Sequence, residues 1–155
     1  MRTTVKLDIP ARHDALALLG TAVSAFVALV GGDEMLAYGV QLAVHEACAN
    51  VIDHAYAAQN GAENRVRVCL TGEPGQIVAE LADTGQARQL AQLPGEWEAV
   101  NEAAGTAYYL RSIAEPDLEQ DRGRGLYLMR QLLDEVVFLP GGAQNIWRLT
   151  RRWAA

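Results

Sequence analysis

Three parts of the chain predict strands, and in residues 4–10 and 65–71 hydrophobic residues alternate with polar ones, the two-residue period of a strand that buries one face. In residues 4–10, Val5, Leu7 and Ile9 share one face, and Pro10 closes the strand. The other two parts are predicted to be antiparallel hairpins, made of residues 65–71 with 77–83 and of residues 136–139 with 145–151. Turn-forming residues separate the strands of each hairpin, Glu73-Pro74-Gly75-Gln76 in the first and Pro140-Gly141-Gly142 in the second.

Hydrophobic residues elsewhere recur every three or four positions, which predicts three amphipathic helices. The first covers residues 15–32 and ends at Gly31-Gly32. The second runs from about residue 34 to residue 58 after an N-cap at Asp33. The third starts at Gly123-Arg124-Gly125, and its apolar face comprises Leu126, Met129, Leu132, Leu133 and Val136.

Residues 84–122 lose this periodicity, apart from a short helix that we expect around residues 96–103. Compact domains seldom contain a connection this long unless it is a functional lid or is disordered. We favour a lid that closes over a ligand.

The predicted order of elements is strand, helix, helix, hairpin, lid, helix, hairpin. This order is typical of an α+β fold, a two-layer sandwich with helices on one face of a mostly antiparallel mixed sheet. A length of 155 residues and a hydrophobic fraction of 50% suit one domain with its own core. We therefore expect residues 1–155 to form a single domain with a lid at about residues 84–122.

The charge of the chain changes which partners are plausible. A net charge of -6 and a pI near 5.0 argue against binding to nucleic acid or to an anionic membrane, since both require a basic surface. The uncharged residues 15–32 could be read as a membrane span, but Gly20, Thr21 and Ser24 dilute them. Cys48 and Cys69 provide no disulfide framework, which suits a reducing compartment. We expect a cytoplasmic protein.

The second predicted helix carries a polar line within an otherwise apolar segment. Glu46 and Asn50 are four residues apart, and Asp53 and His54 follow three and four residues later, so an α-helix would place all four on nearly one side. The alternative is that they are solvated positions on an amphipathic helix. The spacing alone leaves both interpretations open.

Two glycine-containing segments are further candidates for binding. Asp83 ends a predicted strand and precedes Thr84-Gly85, where a ligand ring could approach the backbone closely, although an ordinary Asx turn uses the same residues. Gly123-Arg124-Gly125 opens a helix, where free backbone N–H groups favour an anion such as phosphate, and Arg122 adds charge. A flexible helix entry is the alternative for that segment.

The types, order and spacing of these segments together resemble the Bergerat-fold ATPases, which include gyrase and the histidine kinases. Glu46-Ala47-Cys48-Ala49-Asn50 with His54-Ala55-Tyr56 resembles the N-box of that superfamily. Asp83-Thr84-Gly85-Gln86-Ala87 resembles its first glycine box, and Arg122-Gly123-Arg124-Gly125-Leu126-Tyr127-Leu128-Met129 resembles its second. Within the superfamily the whole chain is most similar to the bacterial anti-sigma factor serine/threonine kinases, although its lid is longer than their usual one by roughly a dozen residues.

The resemblance implies a role for each matching residue. Asn50 would hold Mg²⁺ that bridges the nucleotide phosphates, and Glu46 would be the general base for the attacking hydroxyl. Asp83 would accept a hydrogen bond from the adenine amino group, with Gly85 giving clearance. The remaining residues implied at the nucleotide are Ala87 of the first glycine box, Arg122, Gly123, Arg124, Gly125 and Leu126 of the second, and Asp53, which with His54 would support the site.

The function implied by the resemblance is an ATP-dependent protein serine/threonine kinase that uses Mg²⁺. Such a kinase acts as an anti-sigma regulatory factor, because it sequesters a sigma factor and phosphorylates a serine of an anti-sigma antagonist. Homodimerisation is implied as well. The alternative is a nucleotide-responsive binding protein that has lost phosphotransfer, and the presence of Glu46 favours the enzyme.

Overall fold

The computed structural model describes residues 1–56, 64–119 and 124–155. Its strands are β1 (Thr3–Pro10), β2 (Arg65–Glu73), β3 (Gln76–Asp83), β4 (Glu96–Glu102), β5 (Gly105–Ser112), β6 (Glu135–Leu139) and β7 (Asn145–Arg152). Its helices are α1 (Leu16–Leu29), α2 (Glu34–Asn50) and α3 (Arg124–Leu132), and a π-helical turn, Val51–Ala55, follows α2 directly.

The seven strands form one sheet in the order β1-β2-β3-β7-β6-β5-β4. Each neighbouring pair is antiparallel, so the sheet is not mixed. The predicted α+β class with helices and an antiparallel sheet is confirmed, and so are both predicted hairpins. The first hairpin turns through Pro74-Gly75, where Gly75 has a φ of 90°.

The core lies between one face of this sheet and the helices. Alternate residues of the central strands are buried there, which is the two-residue period that the sequence displays. The buried residues of β2 and β3 on this face include Val66, Val68, Leu70, Ile77, Ala79 and Leu81. From α1 and α2 they meet Leu19, Val23, Val27, Val40 and Val44. In the described part of the chain, no helix has the length and apolar run needed to cross a membrane.

The second helix begins as predicted but changes its geometry near its end. The Asp33 carboxylate accepts a hydrogen bond from the Leu36 backbone N–H over 2.8 Å, which is a standard N-cap. Regular α-helix stops at Asn50, and the following Val51–Ala55 turn is π-helical. The predicted end at residue 58 lies outside the described residues. Because a π-helix has more residues per turn than an α-helix, side chains after Asn50 leave the face that the α-period predicts.

The expectation of one long lid without strands is wrong for much of residues 84–122. Residues 96–102 form strand β4 and not the short helix that the sequence suggested, and β4 pairs with β5 in a hairpin joined through Ala103 and Ala104. A hairpin at the sheet edge is only partly buried on either face, so it lacks the alternation that identifies the central strands. The Ala-Ala loop also lacks the usual glycine or asparagine turn signal.

A network of polar side chains fixes this hairpin to the sheet. Arg148 of β7 donates to both carboxylate oxygens of Glu102 at 2.9 and 3.0 Å, and the Tyr109 hydroxyl donates to the same carboxylate at 2.6 Å. These hydrogen bonds, first from Arg148 and then from Tyr109, lower the pKa of Glu102 to about 2. The hairpin is therefore held to a central strand as well as to its neighbour β6.

Candidate functional site

Glu46 and Asn50 lie one turn apart at the end of α2, and both are half-buried. Asp53 does not continue this line, because it belongs to the π-helical turn. Its carboxylate contacts the His13 ring over 2.8 Å, and its side chain is 54% exposed. Of the polar line predicted from the sequence, the structure keeps Glu46 and Asn50 together and directs Asp53 to the surface.

The start of α3 faces these two residues. A Cβ built on Gly125 would lie 3.0 Å from Oε2 of Glu46 and 3.5 Å from Nδ2 of Asn50. The backbone of the second predicted glycine box is therefore in direct contact with the side chains of the predicted N-box. Glycine at this position allows that approach, since any larger residue would press on the carboxylate.

The other residues of the second glycine box have different surroundings. Arg124 is exposed, and its guanidinium donates a hydrogen bond to the Leu118 carbonyl. The Leu126 side chain is 2% exposed and belongs to the core, so only its backbone is suited to bind a ligand. Arg122 and Gly123 lie outside the described residues.

Asp83 is the one buried carboxylate among the described residues, with an exposure of 3% at the end of β3. Its Oδ1 accepts from the Gly85 backbone N–H at 2.9 Å and from the Asn145 side-chain amide at 3.0 Å. Burial raises the pKa of Asp83, and the hydrogen bonds from Asn145 and from Gly85 act in the opposite direction. The Gly85 bond is the Asx turn that the sequence left as an alternative, and it is present in a buried setting.

Asn145 is a site residue that sequence reasoning did not single out. It is 4% exposed, it pairs with Asp83 in the register of β3 and β7, and its amide also donates to the Gly85 carbonyl at 3.0 Å. Its position as the first residue of the last strand was the available signal. Once that strand is placed beside β3, its first residue must lie opposite Asp83.

Gly85 packs against the backbone of the π-helical turn that follows α2. A Cβ at this position would lie 2.3 Å from the Ala55 carbonyl oxygen, and the next residue, Gln86, donates its N–H to that same oxygen at 2.8 Å. The first glycine box is thus packed against the π-helical turn. This contact fixes the position of Asp83 relative to Asn50.

Two adjoining cavities lie beside these residues. The outer one has a volume of about 320 Å³ and is lined by His54, Gln86, Ala87, Arg88 and Gln92. The inner one is lined by Asn50, Val51, Ala55, Asp83, Gln86, Arg88, Phe138, Asn145 and Trp147. Because Gln86 and Arg88 line both, the outer cavity leads towards Asp83, and Ala87 lies at its wall. Asn50 and Asp83, which are far apart in sequence, meet at the inner cavity.

The described residues contain no cluster of three or more His, Cys, Asp or Glu side chains that could hold a metal ion. Asn50 lines the inner cavity and offers one amide oxygen. Mg²⁺ commonly binds proteins through few oxygen atoms and keeps water and phosphate oxygens as further ligands. The amide oxygen of Asn50 suits such an ion.

Comparison with protein families shows the family to which the chain belongs. Residues 9–151 match the family described as histidine kinase-like ATPase domain. The chain belongs to this family. The boxes compared above thus occur in a histidine kinase-like ATPase domain, and the contact of Gly125 with Glu46 and Asn50 lies within the matched region.

Two curated relatives of this ATPase domain are named serine-protein kinase RsbW. The chain is 26% identical over 132 residues to the RsbW of Bacillus pumilus (strain SAFR-032) and 27% identical over 132 residues to that of Bacillus velezensis (strain DSM 23117 / BGSC 10A6 / LMG 26770 / FZB42). Each match covers 85% of this chain and 75% of the relative. This histidine kinase-like ATPase domain is therefore distantly similar to RsbW.

A solved structure confirms the fold of the family. The chain resembles the RsbU and RsbW domains of Rv1364c from Mycobacterium tuberculosis with a TM-score of 0.61 and 16% identity. The match covers 97% of this chain and 32% of that one, so this chain spans about a third of its length. At this identity the likeness shows the α+β fold alone.

Proposed function

We propose that this histidine kinase-like ATPase domain binds MgATP and transfers its γ-phosphoryl group to a serine of a partner protein. The observation that carries the proposal is the contact between the start of α3 and the end of α2, where Gly125 meets Glu46 and Asn50. It combines three requirements of phosphoryl transfer in one place: backbone N–H groups, a ligand for Mg²⁺ and a carboxylate base.

Asp83 and Asn145 would recognise the base of the nucleotide. The Gly85 N–H and the Asn145 amide both donate to Oδ1 of Asp83, so an amino group of the ligand would donate a hydrogen bond to the other carboxylate oxygen, Oδ2. An ionised carboxylate only accepts hydrogen bonds, which favours adenine with its exocyclic amino group. Asn50 would hold Mg²⁺ through its amide oxygen, and Mg²⁺ would neutralise charge on the phosphates.

Glu46 would act as the general base of the transfer. Its carboxylate takes the proton of the serine hydroxyl while the hydroxyl oxygen bonds to the γ-phosphorus atom. The bond from that phosphorus to the bridging oxygen breaks, and ADP leaves with the bridging oxygen. The N–H groups at the start of α3 lie where the phosphates would be bound, and the positive end of the helix dipole favours them.

The nature of the partner is proposed from similarity. Both Bacillus relatives are named serine-protein kinases, which supports serine as the acceptor. An anti-sigma antagonist as the substrate and a sigma factor as the sequestered protein extend the proposal along the resemblance noted in the sequence. A nucleotide-responsive protein without transfer is the second candidate, since the buried Asp83 with its donors Gly85 and Asn145 would serve nucleotide binding alone and needs no base.

The decisive experiment separates binding from transfer. Wild type, Glu46→Gln and Glu34→Gln are incubated with labelled ATP, Mg²⁺ and a candidate antagonist encoded beside the gene, and MgADP affinity is measured by calorimetry. Glu34 is the matched control, since it lies in the exposed first turn of the same helix. We expect Glu46→Gln to keep its affinity and to lose transfer by about 10²–10⁴-fold, the usual contribution of a general base.

Each part of the proposal has an outcome that would overturn it. Near-normal transfer by Glu46→Gln would overturn the role of Glu46 as general base, and nucleotide binding by wild type without any transfer would overturn the kinase and support the second candidate. Asn50→Ala tests the metal site independently. It should abolish the Mg²⁺ dependence of nucleotide binding while leaving the fold intact, because alanine suits the end of a helix.

A further inference from the structure

Trp147 is a large aromatic residue directly beside the buried carboxylate. It lies two residues after Asn145 on β7, so both side chains point to the helix-covered face of the sheet. Its exposure is 3%, and its ring stacks on Phe138 with centroids 4.6 Å apart and planes at 29°. Phe138 and Trp147 are also paired in register across β6 and β7. The two rings form one wall of the inner cavity.

These rings leave almost no room next to Asp83. The inner cavity measures about 10 Å³, near the smallest volume that holds one water molecule. The outer cavity, at about 320 Å³, is within the size range of ligand sites. The polar groups of the site therefore suit a nucleotide, but the cavity beside Asp83 is too small for a base while Phe138 and Trp147 keep these positions.

A second tryptophan supports the first from the edge hairpin. The ring of Trp97 in β4 meets that of Trp147 edge to face, with centroids 6.3 Å apart and planes at 63°. Trp97 is itself held by a hydrogen bond from its Nε1 to the Pro94 carbonyl at 3.0 Å. Any movement of Trp147 must therefore break its packing against both Phe138 and Trp97.

We propose that Trp147 determines the affinity of this site for nucleotides, because its indole occupies the place of the base and must move aside before a purine reaches Asp83. This inference rests on the proposed nucleotide binding. The cost of moving the indole reduces the apparent affinity for any ligand that carries a base. A ligand made only of phosphates binds at Gly125 and Asn50 and does not require the movement.

Smaller side chains at position 147 test the proposal. We expect Trp147→Val to bind MgADP roughly tenfold more tightly than wild type, because the open pocket is then permanently populated. Trp147→Phe keeps an aromatic ring of smaller size and should fall between the two. The affinity for magnesium tripolyphosphate, which has no base, should be the same in all three proteins.

Leu149→Ala is the control for loss of core volume. Leu149 is the next residue of β7 on the same buried face, but it is not among the residues that line the inner cavity. Its substitution also removes buried volume and should leave MgADP affinity unchanged. A gain of affinity in both variants would overturn the proposal, since it would then follow from loosening of the core.

Fluorescence detects the movement itself. The chain has three tryptophans, so the double variant Trp97→Phe/Trp153→Phe keeps Trp147 as a single reporter. We expect its emission to shift to longer wavelength as MgADP is added and to stay constant with magnesium tripolyphosphate. Tight binding of MgADP with an unchanged emission, or equal MgADP affinity in wild type and Trp147→Val, would overturn the role of Trp147 alone. Absence of MgADP binding in both proteins would overturn the proposed function as well.

Discussion

The side-chain amide of Asn145 donates a hydrogen bond to the Asp83 carboxylate over 3.0 Å, and the same two residues are paired in register across β3 and β7. Both side chains are nearly inaccessible to solvent. A buried carboxylate requires donors, and here one comes from the next turn and the other from the last strand of the chain. The last strand thus completes a site that the first hairpin begins.

Asn145→Ala should raise the pKa of Asp83 further. Burial already raises that pKa, and the Asn145 hydrogen bond is the larger of the two effects that oppose it. Loss of the donor also leaves a buried carboxylate with one partner fewer, which costs about 1–3 kcal/mol of stability. The titration of the Asp83 carboxyl group by NMR and thermal unfolding measure the two effects. Asn101→Ala, at an exposed position of β4, is the control, and an Asp83 titration identical in both variants would contradict the prediction.

Glu102→Gln should make the protein less sensitive to acid. The pKa of Glu102 is lowered from 4.5 to about 2, so its ionised form stabilises the fold at every pH above the pKa of the unfolded state. This stabilisation is lost as the pH falls from 4.5 towards 2. We expect the difference in Tm between wild type and Glu102→Gln to be largest near neutral pH and to shrink across that interval.

Glu98→Gln provides the comparison for that experiment. Glu98 lies on the same strand and pairs with Arg111, but both side chains are more than half exposed. Exposed ion pairs contribute little to stability, so the Tm of this variant should be close to that of wild type at every pH. If the two variants show the same dependence on pH, the network around Arg148 does not stabilise the protein through Glu102.

Gly125→Ala should separate stability from binding. Alanine is favoured over glycine inside a helix by about 0.5–1 kcal/mol, so Tm should not fall. The added Cβ would lie 3.0 Å from Oε2 of Glu46 and would occupy space at the phosphate site, so MgADP affinity should fall several-fold. Gly39→Ala on α2 is the matched control, because its Cβ would meet only Leu132 at 3.6 Å. Equal affinity of the two variants would argue against a phosphate site at Gly125.

Gly85→Ala should lower both stability and nucleotide affinity. The new Cβ would lie 2.3 Å from the Ala55 carbonyl oxygen, and a backbone atom cannot move aside as a side chain can. Overpacking of this kind typically costs about 1–3 kcal/mol. The measurements are thermal unfolding and calorimetry with MgADP. Gly142→Ala is the control, because a Cβ there has nothing within 4 Å, and its Tm and MgADP affinity should equal those of wild type. Wild-type Tm and MgADP affinity in Gly85→Ala would contradict the close contact with Ala55.

The central strands could be predicted from sequence because one of their faces is buried and the other is not. β1, β2, β3 and β7 lie within a residue or two of their predicted positions for this reason. β6 is equally close to its prediction, but it is buried at three consecutive positions, and its signal was the apolar run that ends at the Pro140-Gly141-Gly142 turn. The edge hairpin could not be predicted in this way, because β4 has exposed residues on both of its faces. Glu96 and Glu98 are exposed on one face, and Ala99 is exposed on the other. The short helix expected around residues 96–103 does not form, because pairing with β5 makes residues 96–102 a strand.

The candidate site was predictable where local sequence carries the signal. Glu46, Asn50 and Asp83 were found through the order and spacing of the boxes. Asp53 was placed with them on the assumption of a continuous α-helix, but the π-helical turn directs it to His13. Asn145 and Trp147 depend on which strands are neighbours, and a single sequence does not show that order directly.

The junction between β5 and β6 consists of two residue pairs, Tyr108 with Phe138 and Tyr109 with Val137, whereas β6 and β7 share five. The β4–β5 hairpin therefore lies at the edge of the sheet and joins the other five strands through a short ladder. Short junctions of this kind are where a native protein opens locally without unfolding. Because Trp97 of this hairpin contacts the Trp147 ring, a local opening at the β5–β6 junction would also loosen the packing beside Asp83.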